Sequence, residues 1–229
     1  VRITDWFFFK KQAELKYVGL ENALIKFQRT DSVWRQQFLF DYFGGGSSTS
    51  GSTKKGGIQF DLRKLEMKNV RFVKKDAWMG EDMQVQIGQM DLDADQLSLS
   101  GNRFELKSLL IRDPVVAINK YDRRKPRKIK SAANLEEVIR KLASWHSGKL
   151  VVKIGNLAIV NGTFSTDNAG RTPVPYFDGQ HLLVTAINGK WSNARFEGDT
   201  VHSQMQLQAK EKSGFELRNM TADMTMNPQ

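Results

Sequence analysis

Asp91, Asp93 and Asp95 are the side chains in this 229-residue chain best spaced for chemistry, and that chemistry would be calcium binding. An EF-hand loop needs glycine sixth and glutamate twelfth; counted from Asp91, those places hold Gln96 and Asn102. Leu92 and Ala94 between the aspartates are apolar, so the triplet reads as the outward face of an acidic strand edge. His146, His181 and His202 have neither metal-ligand spacing nor a nucleophile motif beside them. With no cysteine there is no thiolate, no disulfide framework and no cysteine zinc site. No G-x-S-x-G occurs, and the glycine tract at Gly44 has no helix after it to hold a phosphate. The chain therefore reads as a non-enzyme with no catalytic residue, no metal and no cofactor.

What the sequence repeats is a scaffold. Phe60, Leu62, Leu65 and Met67 are apolar, Asn69 follows, and Phe72 closes the unit. The order returns at Phe104, Leu106, Leu109, Ile111 and Asp113, and again at Val152, Ile154, Leu157, Ile159, Asn161 and Phe164. Fainter copies lie at Phe215, Leu217, Met220, Ala222 and Met224, and at Leu15, Tyr17 and Leu20. Two-residue steps keep apolar side chains on one face of a strand. The three-residue step from Leu62 to Leu65 breaks that phase, as a β-bulge does. The Asn or Asp then falls where a left-handed residue is tolerated. These units predict a mainly β fold: an elongated, curved antiparallel sheet, apolar inside and polar outside.

Five regions follow along the chain. Residues 1–43 are rich in aromatics and read as first strands after a missing membrane anchor; Leu24 to Gln28 and Trp34 to Phe40 read as strands turning at Thr30 to Ser32. Trp6, Phe7, Phe8 and Phe9 followed by Lys10 and Lys11 match a membrane-proximal segment, and equally a packed strand. Residues 44–57 are a flexible Gly/Ser linker loop. Residues 58–122 carry β-repeats, with Met83, Val85 and Ile87 alternating against glutamines. Residues 123–149 hold a basic loop and one amphipathic helix near 134–146, capped by Asn134 and Glu137, with an apolar stripe from Leu135 to Trp145. Residues 150–229 return to β-repeats, with Asn161-Gly162 as a hairpin signal, and read as continuing into a longer protein.

The net charge of +10 is concentrated in Lys54-Lys55 and Arg123 to Lys130, with no nucleic-acid module alongside, so these runs read as solvated basic loops. If they meet a partner, anionic lipid headgroups or an acidic protein suit them as well as phosphodiesters. Mean hydropathy is −0.48, and no stretch reaches the ~18 apolar residues of a membrane helix.

The opening Val1-Arg2-Ile3-Thr4-Asp5-Trp6-Phe7-Phe8-Phe9, Asp31 to Arg35, Phe60 to Phe72 and Ala77 to Asp82 together resemble the AsmA-like/TamB family of envelope proteins, in particular its Bacteroidetes-type members. The resemblance runs along the whole chain. It implies a β-taco, a long sheet folded into a groove, in the periplasm. It also implies an inner-membrane anchor through an N-terminal helix and a BamA/TamA-like outer-membrane partner met through a C-terminal region, both outside this sequence. The implied roles are phospholipid movement between inner and outer membrane and support of outer-membrane protein assembly. Asp31-Ser32-Val33 and Asp199-Thr200-Val201 also resemble an envelope O-glycosylation signal, which intact mass would reveal as hexose-sized additions.

The expected lipid-facing residues are Leu62, Leu65, Met67, Val85, Ile87, Leu92, Leu106, Leu109, Ile111, Ile154, Leu157 and Ile159. About a dozen strands at ~4.8 Å spacing would give a groove of about 60 Å. The rival reading is a closed β-scaffold for periplasmic protein docking, in which the same side chains form a dry core and no lipid is carried.

Overall fold

A computed structural model describes residues 16–37, 62–98, 103–126, 151–197 and 200–227. The expected helix near 134–146, the Trp6 to Lys11 segment and the 44–57 linker lie outside these residues.

The described chain is mainly β and forms one ten-stranded sheet. Its strands are β1 (Tyr17–Glu21), β2 (Leu24–Arg29), β3 (Lys64–Asp76), β4 (Glu81–Ser98), β5 (Arg103–Arg112), β6 (Val115–Lys120), β7 (Val151–Asn168), β8 (Leu182–Glu197), β9 (Thr200–Glu211) and β10 (Glu216–Met226). The order across the sheet is β1-β3-β4-β5-β7-β8-β9-β10, with β2 extending β1 along β3 and β6 extending β5 between β4 and β7.

The expected antiparallel sheet is corrected to a mixed one. β1 and β2 run parallel to β3, and β5 and β6 run parallel to β7; the other pairings are antiparallel. A parallel neighbour requires a crossover rather than a hairpin. The long connections after Arg29 and after Lys120 supply the two crossovers. The β1-β2, β3, β4 arrangement is thereby repeated as β5-β6, β7, β8. Two smaller expectations change with it. Trp34 to Gln36 form a turn rather than a strand, and Asn161-Gly162 lies within β7 rather than at a hairpin.

The three-residue steps of the motif are visible as register breaks. Asp93 faces Ser108 and Gln96 faces Glu105, with Ala94 opposite Leu106 between them, so Lys107 on β5 and Asp95 on β4 each lie unpaired at the Leu106 to Leu109 step and the register resumes beyond it. The Asn/Asp positions are the second break. Asn22, Asn69, Asp113 and Asn161 have φ of 52°, 50°, 49° and 55°. Asn and Asp are the non-glycine residues best suited to this region, because their short side chains hydrogen-bond locally. The four positions fall in one column across the sheet and bond in two pairs. Asn69 Nδ2 donates to Asn22 Oδ1 at 2.6 Å, and Asn161 Nδ2 donates to Asp113 Oδ1 at 2.6 Å. Asn161 N donates to Asn188 Oδ1 at 3.0 Å.

Between Asn69 and Asp113 the column is filled by Gly88. A Cβ there would stand 3.0 Å from Asp113 Cβ and 3.1 Å from the Arg112 carbonyl oxygen. Gly88→Val is therefore expected to cost about 1–3 kcal/mol by overpacking a backbone that cannot move aside. Asn161→Ala should cost about 1–2 kcal/mol through its left-handed backbone, and Asn161→Gly distinctly less. Chemical denaturation of the three variants measures both effects; equal stability of the Ala and Gly variants would show that φ at Asn161 is not the constraint.

Candidate functional site

Directly opposed residues in a ladder share a face, so the register sorts the apolar side chains into rows. One row runs Val18, Leu65, Leu92, Leu109, Leu157, Trp191, Met205, Ala222, apolar at every step from β1 to β10. The next runs Leu20, Met67, Met90, Ile111, Ile159, Gly189, Leu207, Met220. Trp191 covers Gly189, where a Cβ would lie 2.3 Å from the indole ring. Beyond the Asn/Asp column a third row, Ile25, Phe72, Val85, Val116, Phe164, Val184, continues the same face. The residues between the rows are mainly polar, among them Lys64 opposite Asp93 and Glu66 opposite Asp91.

Of the twelve expected lipid-facing residues, eleven reach this face. Leu65, Leu92, Leu109 and Leu157 share the first row, and Met67, Ile111 and Ile159 share the second. Leu106 and Ile154 lie in a shorter row with Ala94 and Ala194, Val85 lies in the third row, and Ile87 opposes Val70. Leu62 precedes β3 and is half-buried. Sequence reasoning missed the far end of the face, Trp191, Met205 and Leu207, and Trp191 lies in the middle of β8. Of the row beyond the column it named Val85 alone, and Phe72 and Phe164 were read only as closing residues. Seven of the eight methionines (Met67, Met83, Met90, Met205, Met220, Met224, Met226) have the register of this face.

Burial along the face is uneven. Val70, Ile87, Met90, Leu92 and Ala94 on β3 and β4 are buried, whereas the apolar residues of β7 to β10 are half-buried. The close backbone neighbours of each described strand are its hydrogen-bonded partners. A concavity of about 520 Å³ lies where Leu157, Trp191, Met205 and Ala222 cross β7 to β10, with Lys190, Gln204 and Asp223 also on its wall.

Asp91, Asp93 and Asp95 alternate with buried Leu92 and Ala94, as expected of outward strand residues, but β4 is an interior strand and not an edge. Lys107 Nζ stands 3.1 Å from Asp95. Among the described residues no group of three His, Asp or Glu side chains could hold a metal, and no helix is long and apolar enough to cross a membrane. Ser32 is exposed in the turn after β2, and Thr200 is half-buried at the start of β9.

At one end the apolar face is closed by ions. Arg29 clasps Asp76 with two hydrogen bonds of 2.7 and 2.8 Å, and its guanidinium lies 4.5 Å from the Trp34 ring. Asp76 is 1% exposed and also accepts from Met79 N. Lys74 bonds Glu81 at 2.9 Å, and Tyr121 donates to Asp82 at 2.7 Å. Burial and the Asp82 carboxylate push the Tyr121 phenol up to about 12. The Arg29 hydrogen bonds, against the opposing effect of burial, hold the Asp76 carboxyl below its ordinary 3.8.

A depressed folded-state value means that the stabilisation from Asp76 is fully present above the ordinary value and is lost as pH falls through the lowered one. Asp76→Asn should cost about 3 kcal/mol at neutral pH, because Arg29 then keeps a half-buried charge without its counter-ion. It should also remove the Asp76 part of the acid-side loss. Denaturant titrations at neutral pH and at pH ~3 measure both; wild-type stability of the variant at neutral pH would show that the clasp holds nothing. Compared with protein-family models and with curated proteins, the chain has no match.

Proposed function

We propose that the apolar rows form the floor of a groove for phospholipid acyl chains, and that the chain is a section of an envelope conduit between inner and outer membranes. The observation that carries this reading is the unbroken first row from Val18 to Ala222, with half-buried residues over β7 to β10. A core that had closed on itself would bury such side chains throughout. The family resemblance of the opening segment and the repeats supplies the periplasmic setting. It also supplies the BamA/TamA-like partner, reached through other parts of a longer protein.

The energetics suit transfer. An acyl chain against apolar rows regains ~0.8 kcal/mol for each buried CH₂, close to what the bilayer gives it. Successive rows keep the same chemistry from strand to strand, so displacement along the sheet changes little in free energy. The polar headgroup stays in water. Methionine suits such a floor, because its unbranched, polarizable side chain adapts to chains of differing shape.

The test is extraction and mass spectrometry of lipids from protein purified without detergent. Phospholipid should co-purify, and Leu109→Asp and Leu157→Asp should abolish its retention while the far-UV spectrum and a cooperative unfolding transition persist. Lipid-free, folded wild-type protein, or Asp variants that unfold, would favour the closed docking scaffold instead.

A further inference from the structure

The described residues include nine exposed large hydrophobic side chains, and six of them gather at one end of the sheet. That end is defined by the register Arg29, Asp76, Glu81, Lys120, Asn168. Ala169 N bonds the Lys120 carbonyl at 2.9 Å and Lys212 N bonds that of Leu183 at 3.0 Å, which brings the β7–β8 and β9–β10 connections to the same end. Val33, Met79, Tyr176, Phe177, Leu183 and Phe215 project there, with Tyr176 67% and Phe177 61% exposed. The other three, Tyr17, Leu24 and Val115, are scattered along strands.

Tyr176 and Phe177 stand out because the loop that carries them is tightly built. Asp178, 7% exposed, accepts hydrogen bonds from the backbone N–H groups of Val174, Gln180 and His181. His181, 6% exposed, is bracketed by Asp167 Oδ1 at 2.6 Å and the Arg171 carbonyl at 3.0 Å. Polar side chains turn inward to organise this loop, and the two aromatics are left outside. Folding that loop around its aromatics would be the cheaper arrangement in water alone.

Charge at the same end is lopsided. Residues 121–125 are fixed to the β3–β4 turn by hydrogen bonds from Tyr121 N to Gly80 O, Arg124 N to Ala77 O and Lys125 N to Trp78 O, at 2.9, 3.0 and 3.0 Å. Gly80 permits the approach: a Cβ there would lie 2.3 Å from the Tyr121 carbonyl oxygen. Asp76, Glu81, Asp82, Asp167 and Asp178 are engaged as described and buried Glu211 accepts from Ser213 N, while Asp31 and Asp122 are exposed. Arg123, Arg124 and Arg171 are exposed, and no ion pair joins them to a described carboxylate. Exposed aromatics beside unpaired arginines are the composition of a surface that sits at a bilayer interface, the rings at headgroup depth and the cations against anionic lipid.

We propose that this end of the sheet is a membrane-contact rim that docks on an anionic phospholipid surface, with Tyr176 and Phe177 entering the interface and Arg123 and Arg124 holding headgroups. The rim stands on its own residues and does not require the acyl-chain groove. It is tested by flotation of the whole chain with phosphatidylcholine vesicles, with and without a quarter of phosphatidylglycerol. Wild type should float with the anionic vesicles only. Tyr176→Ser/Phe177→Ser and Arg123→Glu/Arg124→Glu should each weaken flotation by about tenfold, and Lys68→Glu/Arg195→Glu, exposed and equal in charge change but away from the rim, by far less. Asp178→Ala, which leaves the aromatics in place but releases the loop, should weaken it too.

Equal loss in both charge variants would reduce the effect to overall charge and overturn the rim. So would wild-type flotation of the aromatic variant, or self-association that the aromatic variant abolishes in sedimentation while flotation is absent. Lipid co-purified per protein should stay unchanged in the rim variants, which separates failure of the rim from failure of the groove.

Discussion

A sheet that carries one apolar face across its described strands depends on every strand turning at the same height, because a mismatch in one would throw the rows of its neighbours out of phase. The left-handed column of Asn22, Asn69, Asp113 and Asn161 meets that constraint. Each of these strands carries one extra residue at this level, so the apolar side chains resume on the same face beyond it. The side-chain bonds between Asn69 and Asn22 and between Asn161 and Asp113 span the parallel pairings, whose partners are 47 and 48 residues apart in sequence. They pin register in the places where no hairpin turn does so.

The two surfaces of the proposals lie on either side of that column. On one side run the Leu, Ile and Met rows; on the other the Phe and Val row leads to the Arg29–Asp76 clasp. The clasp holds β2 to β3 and secures the β3–β4 turn, against which residues 121–125 are laid. One ion pair therefore sits between the apolar face and the rim beyond it. Its burial makes it costly to break even where it adds little net stability.

Much of the sheet was legible because its signals are local. The period-two alternation located the faces, the three-residue steps located the extra residues, and Asn or Asp at the end of each unit located the left-handed positions. Parallel pairing was not legible: the partners of β3 and β7 are set by crossovers, and nothing within Tyr17 to Arg29 distinguishes a parallel from an antiparallel neighbour. Asn161-Gly162 misled for a related reason, since a left-handed residue serves a hairpin and a mid-strand turn equally well. The rim was illegible because it is assembled from turns far apart in sequence. Tyr176 and Phe177 carry no periodicity, and their exposure follows from the buried Asp178 and His181 rather than from their own neighbours.

The methionines on the apolar face carry a further consequence. Oxidation to the sulfoxide converts a thioether into a strongly polar group, without altering charge or backbone. A face that draws seven of the chain's eight methionines into its rows concentrates that vulnerability on one surface. Those over β9 and β10 are only half-buried and stand within reach of small oxidants. After the exposed Met79, peroxide would reach this face from the β10 side, wetting it while the ladders and the Asn/Asp column stay intact.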